Sequence, residues 1–479
     1  MKGVFDTLRH HARTRPDALA FSGDGAALTW AQLAGRVADM ARRLEGAPRR
    51  IAIGLAGGCD YVVADLALAL TGRRQVPLPF FFVAEQLGHV LADARVEAVI
   101  TDRPEAFADA PGLRVISSAA EGGERLELPR YQPGGDRVIY TSGSSGRPKG
   151  VVIGASQMAA SLAALMPLVG ATEADLHLSV LPLAQLLEQI CGIYLPVLAG
   201  AETRFDFAAT RTLFQADIAP LTEAFARVRP TTSLLAPGIL GRWVADLGQR
   251  GLHAPANLRF VAVGGAASAS ALLEAAWRLG IPVHEGYGLS ECCAVVAMNR
   301  PGANVIGSAG EILSGLDVRI EAGEITVAGP TVMTGYLNGD PAPARWRTGD
   351  LGRIEQGRLI VEGRKDALLV TPNGRNISPE WIEQRVNADP RVLSSGLGLR
   401  ADGALVLVVA AVALVTPDEI ARLVSDLPAY ARPVGMIVTS PSEPGLLFPA
   451  GTPNRKTVAA LVNERAAVPL FPTIESLAS

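Results

Sequence analysis

A chain of 479 residues is too long for one ordinary core, so two or more domains are expected. Charged residues at 19% and apolar residues at 49% describe a folded enzyme-like protein and exclude a disordered one, while a net charge of −3 leaves no electrostatic footprint for nucleic acid. The mean hydropathy of +0.25 comes from Ala, Val and Leu spread along the chain, and apolar runs such as 404–415 are too short for a membrane span.

The start, Met1-Lys-Gly-Val-Phe-Asp-Thr-Leu-Arg, has neither an apolar signal core nor a small-residue cleavage site, so a cytoplasmic location is expected. Leu33, Val37, Met40 and Leu44 fall at helical spacing with Arg36, Asp39 and Arg43 between them, which predicts an amphipathic helix. A strand over 50–55, a helix over 60–71, a strand near 76–78, a helix over 84–94 and a strand over 96–100 follow. This alternation predicts parallel sheet with helical cover. Arg137–Tyr140 reads as a short buried strand, and a comparable block comes after it: a helix over 156–168, a strand within 176–183 and a strand over 258–263. From 309 to 353 the segments become short and β-rich, as expected of a small β-barrel. A strand within 404–415 and helices over 379–387 and 417–426 complete the chain. The expected fold is α/β: a large N-terminal domain, 1–363, of two helix-covered sheets plus the barrel, then a smaller α+β domain, 364–479.

The segment Tyr140-Thr141-Ser142-Gly143-Ser144-Ser145-Gly146-Arg147-Pro148-Lys149-Gly150 has the composition of a phosphate cradle. Small residues let backbone N–H groups and hydroxyls close on phosphate oxygens, and Gly143 and Gly146 can take the positive φ that such a nest requires. A Walker-type loop needs Gly before the lysine and Ser or Thr after it, whereas Lys149 stands between Pro148 and Gly150. A flexible linker does not suit the apolar runs on either side.

Four further motifs follow in order: His284-Glu285-Gly286-Tyr287-Gly288-Leu289-Ser290-Glu291, Thr348-Gly349-Asp350, Gly363-Arg364-Lys365-Asp366, and Gly374-Arg-Asn-Ile-Ser-Pro379. With the loop they resemble the adenylate-forming superfamily: acyl-CoA and aryl-CoA synthetases, peptide-synthetase adenylation domains and luciferases. The pattern is nearest to the fatty-acyl type. The resemblance implies that a carboxylic acid and ATP·Mg2+ give acyl-AMP and pyrophosphate, after which a phosphopantetheine thiol of CoA or of a carrier protein takes the acyl group. It implies that Thr141, Ser142, Ser144 and Ser145, with Gly143 and Gly146, cradle the β- and γ-phosphates under Lys149. Glu291 and Thr141 would hold Mg2+, and Ser290 would reach the α-phosphate. Tyr287 and Gly264-Gly265-Ala266 would sandwich the adenine, with Glu285, Gly286 and Gly288 shaping that wall. Asp350 would accept both ribose hydroxyls, backed by Arg364, and 364–479 would be a mobile lid. The ordinary alternatives are a surface Lys149, a helix-capping Ser290 and a turn Asp350.

Three positions depart from the family pattern. Gln185, in Leu181-Pro-Leu-Ala-Gln185, replaces the usual His or aromatic that gates substrate and thiol. Ala367 occupies the usual hinge position, with Asp366 one residue earlier. Thr452 stands where the adenylation lysine normally follows Gly451, leaving Lys456 or Arg455 to act in its place, or Lys456 as a solvated surface residue. The peptide-synthetase motif that would hold an α-ammonium is missing from 186–191, which favours a plain aliphatic or aryl acid. No carrier domain is visible, so a carrier would act in trans. Cys59, Cys191, Cys292 and Cys293 show no metal spacing. Cys292 and Cys293 could be catalytic or simply buried. Two other outcomes stay open: transfer to an amine, and a catalytically weak nucleotide- or acyl-binding partner protein.

Overall fold

The computed structural model describes residues 1–108, 110, 112–119, 127–141, 148–215, 217–266, 268–372, 375–389, 391–447 and 452–471. The expected cradle residues Ser142, Gly143, Ser144, Ser145 and Gly146 lie outside these, as does Gly374. Among the described residues, no helix is long and apolar enough to cross a membrane.

The predicted amphipathic helix is Trp30–Arg43. It starts at Thr29, whose hydroxyl accepts from the Gln32 amide while the Gln32 side chain accepts from the Thr29 amide, and it buries Leu33, Val37 and Met40. The next helix, Gly58–Leu70, is apolar on every side because it packs on strands of two sheets at once. In the first sheet Arg50–Gly54 runs parallel between Arg74–Pro77 and Ala98–Thr101. In the second, Glu202–Phe205, Leu176–Ser179, Thr232–Leu235, Phe260–Val263 and Val283–Tyr287 lie side by side, all parallel. The α/β expectation holds in both blocks, with strand ends within a few residues of those read from the sequence.

Asp136–Thr141, the strand that leads to the cradle, does not feed a crossover helix. It pairs antiparallel with Lys149–Gly154, so Thr141 and Lys149 stand opposite each other at the end of a ladder. The strands expected of a small barrel, Asp317–Glu321, Glu324–Ala328, Arg345–Glu355 and Arg358–Arg364, form an antiparallel set. Glu311–Ile312 and Ala297–Met298 join that set to Val283–Tyr287 of the second sheet. Beyond Arg364, Val392–Leu399, Leu405–Ala411, Gly435–Thr439 and Val468–Pro469 make a separate sheet. Alternation along Leu405–Ala411 sends Leu405, Leu407 and Val409 to one apolar cluster, with Ile382 and Ile420, and Val406 and Val408 to another, with Val458 and Val462.

A buried polar network crosses between the sheets. Arg137, 3% exposed, lies 3.6 Å from the fully buried Asp65 and donates to the Tyr194 hydroxyl at 2.7 Å and to the Gln189 side chain. Tyr194 donates in turn to Asp65, and Gln189 donates to Tyr61 at 3.1 Å. Removing one member of a buried ion pair leaves the other charge without compensation. Arg137→Met is therefore expected to lower stability by about 3–5 kcal/mol, read from the urea transition followed by tryptophan fluorescence, with Asp65→Asn added to it restoring part of the loss.

Candidate active site

The carboxyl ends of the parallel strands in the second sheet converge on one cavity of about 1860 Å³. Leu181, Ala236, Gly264 and Tyr287, each at or just past a strand end, line it. Ligands of open α/β sheets collect at this edge. Thr141, Gln185, Gly265, Ala266, Glu285, Gly286, Gly288, Ser290, Asp350 and Arg364 line the same cavity, so four separate sequence motifs meet there.

Two glycines are required by the backbone at this wall. Gly265 has φ +88, and a Cβ on Gly288 would stand 1.7 Å from the Ala294 carbonyl oxygen. That crowding follows from a turn in which Cys293 and Ala294 both have positive φ, 55 and 79. Ser290 lies inside the short 3-10 turn Ser290–Cys292, whose cap position is Leu289, so the helix-cap reading of Ser290 does not apply. Burial pushes the Cys292 and Cys293 thiols up, the second to about 12, which makes them packing residues rather than nucleophiles.

Tyr287 donates to Asp350 at 2.5 Å, and Arg364 lies 3.3 Å from the same carboxylate. Burial pushes the Asp350 carboxyl up, while Tyr287 and Arg364 pull it down. The Thr348 hydroxyl donates to the Ile325 carbonyl at 2.8 Å and accepts from the Asp350 amide at 3.1 Å, which fixes the bend at Gly349. Arg364 also holds Asp366 through its Nε at 3.0 Å. Asp366 and Ala367 both belong to the short turn Lys365–Ala367.

On the phosphate side, Glu291 accepts from the Tyr336 hydroxyl at 2.7 Å, and Lys149 Nζ lies 5.6 Å from the centre of the Tyr336 ring. Tyr336 thus joins two predicted residues, 45 and 187 positions away in sequence, and no local pattern marked it. Among the described residues, no group of three or more His, Cys, Asp or Glu could hold a metal ion. A single carboxylate such as Glu291 is the kind of oxygen donor that suits a Mg2+ arriving with its nucleotide, whose phosphates would supply most of the other oxygens.

The C-terminal candidates differ in their ties. Arg455 is held by Glu380 at 2.8 Å and by Glu383, so its charge is already matched. Lys456 is exposed in the first turn of Arg455–Glu464, and both it and Thr452 line the cavity.

Glu285 is set in the wall, accepting from the Ser268 amide at 3.0 Å, and burial pushes its carboxyl up to about 7. A raised carboxyl binds its proton more tightly in the folded state, so its contribution to stability is full below about pH 4.5 and is lost as pH rises through about 7. Glu285→Gln should remove that slope. Melting temperatures taken from pH 5 to 8 should fall faster with pH in the wild type than in the variant.

A family model for AMP-binding enzymes matches residues 8–337. The chain is 26% identical to the 2-succinylbenzoate–CoA ligase of Bacillus licheniformis, over 81% of this chain and 85% of that protein, and 27% identical to that of Bacillus cereus, over 83% and 85%. Among solved structures, the O-succinylbenzoate coenzyme A synthetase of Bacillus subtilis in complex with AMP superposes with a TM-score of 0.79 at 23% identity, covering 96% of this chain and 98% of that one. ATP-bound MatB of Rhodopseudomonas palustris gives 0.77 at 20%, covering 97% and 99%. These likenesses in fold agree with the motif reading. With more than half its length matched by the family model, the chain belongs to the AMP-binding enzyme family.

Proposed function

We propose that this chain is an AMP-forming acid–thiol ligase. It joins a carboxylic acid to the α-phosphate of ATP with release of pyrophosphate, then passes the acyl group to the phosphopantetheine thiol of CoA. The observation that carries this reading is the single cavity in which the adenylate-family motifs meet an apolar extension lined by Leu165, Leu195, Leu234 and Phe260. The curated relatives named as CoA ligases support CoA as the acceptor. The reaction belongs in the cytoplasm, where ATP and CoA are both available.

In this reading Asp350 takes the ribose hydroxyls, displacing the Tyr287 phenol that now occupies it. Tyr287 then stacks on the adenine against Gly264-Gly265-Ala266. Thr141 and the cradle hold the polyphosphate with Lys149, and Glu291 and Thr141 would hold the nucleotide's Mg2+, which would neutralise phosphate charge. Lys456 bridges carboxylate and α-phosphate in place of the lysine missing at Thr452, since Arg455 is committed to Glu380 and Glu383. Gln185 gates the acyl and thiol paths. The chain from Arg364 onward is the lid, turning at the Lys365–Ala367 segment between the two half-reactions.

Carboxylate-dependent ATP–pyrophosphate exchange tests the assignment. Exchange should appear with an acid of the right class, and Lys456→Ala should slow it by two or more orders of magnitude through loss of charge stabilisation. Asp350→Ala should raise the ATP KM by about tenfold or more, because each charged hydrogen bond contributes about 1.5–3 kcal/mol. An unchanged ATP KM in that variant would remove the nucleotide assignment.

A further inference from the structure

The apolar extension of the cavity runs along the sheet face rather than out of it. Leu234 lies near the carboxyl end of its strand and Thr232 at its start, with Phe260 paired beside Thr232 and His177 on the other side of it, and all four line the cavity. From Leu234 back to Thr232 the lining follows about 7 Å of strand.

The end of the lining near the start of these strands is polar, with a buried acid behind it. The His177 ring lines it, with Nδ1 3.0 Å from the Thr232 hydroxyl and Nε2 3.7 Å from a Glu188 oxygen. Glu188 is 0% exposed; its Oε1 accepts from Ser179 at 2.5 Å, and its Oε2 has no hydrogen-bond partner. Glu188 stands behind the wall: His177, 3.7 Å from it, and its chain neighbours Leu187 and Cys191 line the cavity. Gly192 makes the space, since a Cβ there would meet Glu188 Oε1 at 2.9 Å. Asp175, which lines the same end, is neutralised by Arg259 at 2.7 Å.

A buried carboxylate behind a wall disfavours a second anion in front of it, while the polar atoms that line the wall take a hydrogen-bonding group. We infer that His177 and Thr232, which line the cavity, with the Glu188 carboxylate behind them, select an acid whose end farthest from the reacting carboxyl carries a hydrogen-bond-donating group, a hydroxyl or an amine, and discriminate against a second carboxylate. The inference rests on the ligase reading and narrows it. It separates this chain from relatives named for 2-succinylbenzoate, a diacid.

The test is pyrophosphate exchange with matched arylalkanoic acids bearing a distal hydrogen, hydroxyl, amine or carboxylate, together with 2-succinylbenzoate. The hydroxyl or amine acid should exceed the carboxylate acid at least tenfold in kcat/KM, mainly through the acid KM. Glu188→Gln should reduce that ratio at least tenfold with the ATP KM unchanged. Wild-type preference for the carboxylate acid or for 2-succinylbenzoate overturns the inference and leaves the ligase reading standing. So does a ratio unchanged in a folded Glu188→Gln protein. If that variant does not fold, the wild-type panel decides. No exchange with any acid overturns the ligase reading and this inference together.

Discussion

A guanidinium with almost no access to water ties together the two sheets that frame the cavity. Arg137 stands four residues before Thr141 on the strand that ends at the cradle, and its partners Gln189 and Tyr194 lie in the helical segment that opens just after Gln185. The third partner, Asp65, comes from the helix packed on both sheets. Burying a charge costs several kcal/mol before its partners offset it, so the network tolerates little displacement of any one element. The edge proposed to bind phosphate and the segment proposed to gate the acyl path are thus held in one relation. The segment Ile190–Tyr194 has the wider π-helical winding that is often found at functional sites, and here it brings Tyr194 round to Asp65 and Arg137.

What was legible in the sequence was local. The helical spacing of Leu33, Val37 and Met40 and the strand–helix alternation act through neighbours a few residues apart, and the structure places these elements close to where the pattern put them. The site residues that sequence reasoning missed act through long-range contact. Tyr336 reaches Glu291 only because its short strand, Gly335–Tyr336, pairs with Lys149–Gly154. His177 and Glu188 looked like ordinary polar residues within apolar runs, and only the parallel register that sets His177 beside Thr232 gives them an address. The antiparallel return after Thr141 was equally hidden, since the apolar run at 151–153 suits a strand of either direction.

The departures from the family pattern acquire physical content once partners are known. Arg455, an obvious substitute for a missing lysine, is engaged by two carboxylates of the helix Pro379–Val386, and Glu383 also accepts from the Leu397 amide at 2.6 Å. Freeing that guanidinium would leave Glu383 buried with one partner fewer. Lys456 carries no such obligation, which is why the proposed bridging role falls to it. At the hinge, Asp366 is drawn to Arg364, and the pairing holds its carboxyl below the usual carboxylate range. Arg364 therefore divides its charge between the ribose-side Asp350 and the turn itself. Any rotation of the chain beyond this point must take one of those contacts with it.

A strained backbone turn lies between these parts. Two consecutive non-glycine residues, Cys293 and Ala294, adopt left-handed conformations that each cost about 1–3 kcal/mol. The turn is held from behind: Ser161 donates to the Cys293 carbonyl at 3.1 Å, and the Cys293 sulfur contacts that of Met158 at 4.0 Å, both on the helix Ala155–Val169. Its effect on the site is steric, because the Ala294 carbonyl fills the space above Gly288 that any side chain there would need. The adjoining Ser290–Cys292 turn sets the direction of Glu291, and the Met333 amide donates to the Glu291 carbonyl at 2.7 Å, just before the strand that carries Tyr336. The strained turn thus connects the helix that brings Leu165 and Val169 to the cavity wall to the carboxylate proposed for the metal. That gives the paired cysteines a reason to be small and buried that requires no chemistry of their own.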